Sequence, residues 1–251
     1  MDNIDKIQVV ILAAGHGKRM GRSDLPKVLI PFKDKPLIQH LLEAIKESGV
    51  CQKPVIIVGQ KAEMVKAELG TEYTYIFQPE QLGTAHAVMC ARKELEGKVE
   101  NIMVLNGDHP LITAGTIKKL AENHLRQGAV ITMGVAKTVD FEGWKKSLYD
   151  YGRIIRNVEG GLIKIVEKKD ANPNELEIKE LSPNYFCFKA NWLWQNMGGL
   201  KNDNAASEYY LPDFLAIACR QQYEIATVEI DPKEALGINT PEQLKLIESF
   251  I

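Results

Sequence analysis

Three glycines (Gly15, Gly17, Gly21), two arginines and two lysines crowd into "AAGHGKRMGRSDLPKV", directly behind the apolar run "IQVVIL". Glycines at this density leave backbone N–H groups uncovered and admit conformations closed to other residues. Uncovered N–H groups flanked by positive side chains suit phosphate oxygens. Spacing excludes two familiar phosphate loops. A Walker loop needs GxxxxGK before Ser or Thr, which does not occur, and the GxGxxG fingerprint fails because Met20 stands where its third glycine belongs. The loop is a phosphate cradle of another kind or a solvated turn. Further on, Asp108 closes "IMVLNGD", where a carboxylate can meet a ligand, although "NGD" also reads as a turn. Taken alone, Lys27 reads as a surface lysine.

The elements that must position these groups follow from periodicity. "IQVVILA", "PVIIVG", "NIMVLNGD" and "AVITMGVA" read as buried strands. Between them, "PLIQHLLEAIKESG" and "KAEMVKAELG" read as helices ending on glycine, "GTAHAVMCARKELEG" as a third helix, and "TAGTIKKLAENHLRQG" as a helix opening on Thr113. This alternation predicts an α/β fold, with a Rossmann-like, mostly parallel (mixed) sheet and helices on both faces. Ligands of such sheets collect beyond the C-terminal strand ends, where the glycine loop lies. From Tyr151 the rhythm changes. "YGRIIRNVEGGLIKIVE" reads as a hairpin around "EGG", "PNYFCFKA" and "YEIATVEI" as strands, and "SEYYLPDFLAIACRQQ" as a helix. "TPEQLKLIESFI" closes as a helix with Thr240 as N-cap and Pro241 in its first turn. We expect residues 1–251 to form a single domain, its second half a lobe contributing antiparallel strands.

Composition narrows the function. The 251 residues are 45% hydrophobic and carry a formal net charge of −2, so no overall positive field invites nucleic acid or a membrane surface. No apolar run approaches the roughly 20 residues of a membrane span. The N-terminus "MDNIDKIQ" is acidic where a signal peptide is basic, and Cys51, Cys90, Cys187 and Cys219 form no CxxC pair. These features predict a cytoplasmic protein with reduced thiols and no disulfide or zinc framework.

The loop "LAAGHGKRMGRSDLPKVL" resembles the LAAGxGxRM…PKxL signature of the sugar nucleotidyltransferases. The resemblance continues in order through "QPEQLGTAHAV", "NGDHPLI", "YGRI", "IVEKKDA", "NDNAASEYYLPDFLAIA" and "EALGINTPEQL", spanning about Val9 to Leu244. Within that family it is most similar to the uridylyltransferase half of bifunctional bacterial enzymes that make UDP-N-acetylglucosamine. The resemblance implies a nucleotide-diphospho-sugar transferase fold. It also implies attack of a sugar 1-phosphate on the α-phosphorus of UTP, releasing pyrophosphate, in a reaction dominated by positioning and charge neutralisation. Arg19 would bind the β and γ phosphates, and Lys27 would bridge the reacting phosphates. Asp108 and Asn239 would hold Mg2+, the implied cofactor. Leu12, Ala13, Ala14, Gly15 and Gly17 would run along the nucleotide, and Gln78 and Gly83 would face the uracil edge with Gln81 and Thr84 nearby. Gly152 and Glu167 would contact the sugar. About 1–110 would form a nucleotide-binding half and about 111–251 a sugar-binding half.

One stretch departs from the pattern. The family's E-[IL]-N-T-G, whose asparagine reads the sugar, is here "ELSPN", with Ser182 at the asparagine position and Asn184 displaced by two. Alternate strand residues share a face, so Asn184 is expected to take over that contact. His16 and His109 are expected to serve loop packing or phosphate contact. His40, His86 and His124 are expected to be ordinary surface or interfacial histidines. The expected partners are UTP and a sugar 1-phosphate. Another nucleoside triphosphate or acceptor, or a sensor that binds without turnover, are the alternatives. Hexapeptide repeats like those that follow in the bifunctional relatives are absent, so acetyl transfer is not expected. Oligomeric state is not legible.

Overall fold

Neighbouring residues of β1 (Ile7–Ala13) enter different cores. Val9 and Ile11 pack on one face of the sheet and Val10 on the other, all of them fully buried. A strand covered on both faces needs an unbroken apolar run, which "IQVVILA" supplies. The computed structural model describes residues 6–15, 17–21 and 24–249, with the side chain of Lys18 left out.

A small hairpin of β2 (Pro31–Phe32) and β3 (Lys35–Pro36) follows the glycine loop. Next come α1 (Leu37–Ser48), β4 (Val55–Val58), α2 (Ala62–Leu69), β5 (Thr74–Phe77), α3 (Thr84–Cys90), α4 (Arg92–Leu95) and β6 (Asn101–Asn106). Strands β5, β4, β1 and β6 lie side by side in that order, all parallel. Helix α1 ends where the sequence predicts, with Gly49 in the left-handed region at φ 72°. The expected third helix is two, broken at Ala91.

The second half runs α5 (Ala114–Gln127), β7 (Ile131–Lys137), β8 (Gly152–Arg156), β9 (Leu162–Val166), α6 (Pro173–Leu176), β10 (Glu180–Ser182), β11 (Phe186–Lys189), α7 (Ala190–Asn196), α8 (Asp213–Arg220), β12 (Ile225–Ile230) and α9 (Pro241–Glu248). Thr113 caps α5 and Thr240 caps α9, as the sequence predicts. β8 and β9 form the expected antiparallel hairpin, whereas β12 runs parallel to β7. The predicted helix over "SEYYLPDFLAIACRQQ" begins only at Asp213, behind Pro212.

The partners of β10 and β11 explain where a site can form. Both run antiparallel along β7, β11 at Ile131–Met133 and β10 at Ala136–Lys137. On their other side β11 pairs with β6, but β10 pairs with β8. The exchange of partner falls at Pro183 and Asn184. Proline has no N–H for a ladder, and Asn184 has φ 60°, so neither continues the strand. β6 therefore stops at Asn106 where β8 starts at Gly152, and a gap opens between them at the sheet's ligand-binding end.

Candidate active site

The loop after β1 is shaped by close approach. Gly17 takes φ 63°, and a Cβ there would come 3.0 Å from the Cβ of Lys27. It leads into a single 3₁₀ turn, Lys18–Met20, that carries Arg19. Lys27 opens a second such turn behind Pro26, and Val28 and Leu29 in that turn are buried, which anchors the lysine. His16 and Arg22 lie outside the described residues.

Lys27 reaches across the gap. Its ammonium pairs with Asp108 and lies 2.5 Å from Asn239 Oδ1. Arg19 Nη2 donates to the same oxygen at 3.0 Å. Residues separated by more than 200 positions thus meet at the end of β6, which the sequence expects of Asp108 and Asn239 only through resemblance. Asn239 is fixed by the start of α9: its N–H donates to Gln243 Oε1 at 2.7 Å, and Gln243 N–H donates to Thr240 Oγ1 at 3.2 Å. The helix-start reading of "NTPEQ" holds, and the Asn239 side chain still faces Lys27 and Arg19. Burial pushes the Asp108 carboxyl up, but the Lys27 ammonium and its hydrogen bond outweigh that and hold it below the usual carboxylate range. His109, next to it, is buried and pushed down to about 4 by that burial, with Asp108 opposing the shift and the Lys27 charge adding to it. It is neutral near pH 7.

Beside this cluster lies a cavity of about 210 Å³. Leu12, Ala14 and Gly15 border it from the end of β1 and the loop behind it, and Gln78, Gln81, Gly83 and Thr84 from the segment leading into α3. Ala13 turns its side chain into the core instead. Sequence reasoning missed Val28, Ala87, Asn106 and Glu208, which also line the cavity. For Glu208 a signal existed, because it stands in the quoted "SEYYLP". Gly83 has φ 104°, and a Cβ there would come 2.4 Å from Tyr209 O. The same contact ties "SEYYLP" to this segment: Tyr209 N–H donates to Leu82 O at 2.7 Å, and Ala85 N–H donates to Tyr209 O at 2.9 Å. Gln78 uses its amide N–H groups internally, to Gly83 O at 3.3 Å and His86 Nδ1 at 3.0 Å. Its carbonyl oxygen is left to meet a ligand.

On the far side of the gap Gly152, Glu167 and Asn184 converge. A Cβ on Gly152 would come 3.3 Å from Glu167 Oε1, and the Asn184 side chain favours the charged form of Glu167, which places it nearby. The strand-parity argument for Asn184 fails, since β10 ends at Ser182 and Asn184 stands in a left-handed turn after it. Ser182 is fully buried, and its hydroxyl accepts from Asn184 N–H at 3.3 Å. Asn106 Nδ2 donates to Pro183 O at 3.1 Å, pinning the turn to the end of β6. Glu167 is pushed up to about 7, by burial first and then by Asp213 and Asp170. Of the remaining histidines, His124 departs from expectation. It is fully buried between Thr132 and Asn101, because α5 packs that face on the sheet.

An arrangement of this kind has parallels among known proteins. The profile of the MobA-like NTP transferase domain matches residues 9–177, well over half of the chain. The chain belongs to that family. This NTP transferase is 40% identical over 249 residues to "Bifunctional protein GlmU" of Brevibacillus brevis, covering 99% of the chain and 52% of the relative. It is 43% identical over 242 residues to the protein of that name from Staphylococcus epidermidis, covering 96% and 51%. The NTP transferase thus spans about half the length of these relatives. Its fold matches a UDP-glucose pyrophosphorylase solved with UDP-glucose (TM-score 0.75, 17% identity, 97% of each chain) and an apo UDP-glucose pyrophosphorylase (TM-score 0.77, 16% identity, 97% of each chain). Among the described residues no helix is long and apolar enough to cross a membrane.

Proposed function

We propose that the chain transfers a uridylyl group from UTP to a sugar 1-phosphate, with N-acetylglucosamine 1-phosphate as the leading acceptor, in the cytoplasm. The carrying observation is the meeting of Lys27, Arg19, Asp108 and Asn239 at the end of β6, between the cavity at Gln78 and the pocket at Glu167. The nucleotide half is then about 1–110 and the sugar half about 111–251, within a single domain.

In the reaction, a phosphate oxygen of the sugar 1-phosphate forms a bond to the α-phosphorus of UTP. The bond from that phosphorus to the bridging oxygen breaks, and pyrophosphate leaves with its electron pair. The attacking oxygen is already ionised, so no side chain needs to remove a proton. The task left to the protein is to bring two anions together. Lys27 and Arg19 supply positive charge where the phosphates meet. Asp108 and Asn239 offer one carboxylate and one amide oxygen, a hard and sparse donor set that fits Mg2+, which keeps most of its shell for water and substrate phosphates. When bound, the ion would neutralise triphosphate charge.

Base choice follows from Gln78. With its N–H groups spent, it offers a base only an acceptor. Uracil presents an N3–H donor that such an oxygen can accept, and this supports UTP as the substrate. Pyrophosphate release measured with each nucleoside triphosphate against a set of sugar 1-phosphates tests the reading. Turnover with UTP and N-acetylglucosamine 1-phosphate is expected, and binding without release under every combination would overturn it.

A further inference from the structure

Two tyrosines adjoin the sugar-side residues in sequence: Tyr151 precedes Gly152, and Tyr185 follows Asn184. Their hydroxyls turn the other way, to the stretch 234–239 that ends in Asn239. Tyr185 Oη donates its one proton to Glu234 O at 2.7 Å, so it accepts from His109 Nδ1 at 2.8 Å. Tyr151 Oη donates to Ala235 O at 2.5 Å and accepts from Gly237 N–H at 2.8 Å. One residue on, Ile238 N–H donates to the backbone oxygen of Asp108 at 3.0 Å. His109 stands edge-on to both phenols, with ring centroids 6.1 Å from Tyr151 and 5.4 Å from Tyr185. Gly237 lets the turn approach, since a Cβ there would sit 2.5 Å from His109 Nε2.

The turn lies outside every strand and helix, and three of its backbone groups, Glu234 O, Ala235 O and Gly237 N–H, find their partners in these hydroxyls. We propose that Tyr151 and Tyr185, with His109 between them, are positioning residues. They hold the 234–239 turn so that the Asn239 oxygen faces Asp108 and Lys27. Because each adjoins a residue of the sugar pocket, they also join the two ends of the gap into one rigid piece. What the two ends bind rests on the proposed function, while the clamp itself rests on the hydrogen bonds alone.

The test compares wild type with Tyr151→Phe and Tyr185→Phe, variants that keep the ring and remove only the hydroxyl. Tyr75→Phe, which loses a surface hydrogen bond to Gly70 O, is the control. Three quantities are read: amide hydrogen exchange, Mn2+ binding by electron paramagnetic resonance, and kcat with KM for UTP. In both variants, exchange at 235–239 should quicken and Mn2+ affinity and kcat should fall, each by about 5- to 10-fold, the scale of one lost hydrogen bond. KM for UTP should move less than about twofold, and the control should match wild type. A loss confined to KM, or wild-type exchange and Mn2+ affinity in both variants, would overturn the clamp. If no sugar phosphate is turned over at all, the proposed function falls, and exchange with Mn2+ binding still decides the clamp.

Discussion

Lys27 is shared between the Asp108 carboxylate and the Asn239 oxygen, and each partner is a group proposed to hold Mg2+. Those two oxygens would hold the ion, and Lys27, beside them, would offer its charge to phosphate. Asp108→Ala and Asn239→Ala should each reduce magnesium-dependent turnover by about 100-fold or more while the fold persists. Near-normal rates at saturating magnesium in either variant would refute that residue's metal assignment. Lys27→Ala should lower kcat by about 100-fold and change KM for UTP much less, because its contact strengthens as charge develops on the reacting oxygens. Steady-state kinetics separate the two, and a loss confined to KM would make Lys27 a ground-state clamp. At this scale the sequence was informative only in company. Lys27 alone could not be told from a surface lysine, and the distance between Asp108 and Asn239 depends on a chain path of more than a hundred residues. His124 shows the opposite failure: helical spacing marked it as ordinary, and only the packing of α5 reveals its burial.

Among the elements, the strongest departure from family pattern is the turn between β10 and β11. Its serine, proline and asparagine interrupt a strand line, set Asn184 near Glu167 and accept a bond from Asn106. Asn184→Ala should lower kcat/KM for N-acetylglucosamine 1-phosphate relative to glucose 1-phosphate by about 5- to 150-fold, the value of one buried hydrogen bond left unmade. Ser182→Asn should also shift the ratio, since it alters the hydroxyl that accepts from Asn184 N–H. Unchanged ratios in both variants would show that this turn does not read the sugar. Elements with a plain period or a cap were legible, such as β1, α1, α5 and α9. Those decided by tertiary contact were not: "SEYYLP" leaves its helical pattern and packs on Gly83, and the break at Ala91 has no glycine or proline to announce it.

For the whole molecule, Glu167 links stability to pH. Its folded value of about 7 lies above the ordinary 4.5, so the stability it contributes is full below about 4.5 and lost as pH rises through about 7. Glu167→Gln should therefore raise the melting temperature more at pH 8 than at pH 5. Equal shifts at both values, by calorimetry, would mean that the carboxyl ionises freely in the fold. A different consequence follows from β11, which enters the sheet between β6 and β7 although it lies some 80 residues beyond β6 in the chain. A nascent chain leaving the ribosome exposes the β6 edge long before its partner is made. The profile-matched stretch 9–177 also stops short of that strand. Ribosome-bound chains halted before residue 186 should remain sensitive to protease and engage chaperones, while chains long enough to release 189 should begin to resist cleavage. The growing polypeptide must wait for its own late segment before the end of β6, with Asp108 just beyond it, can settle.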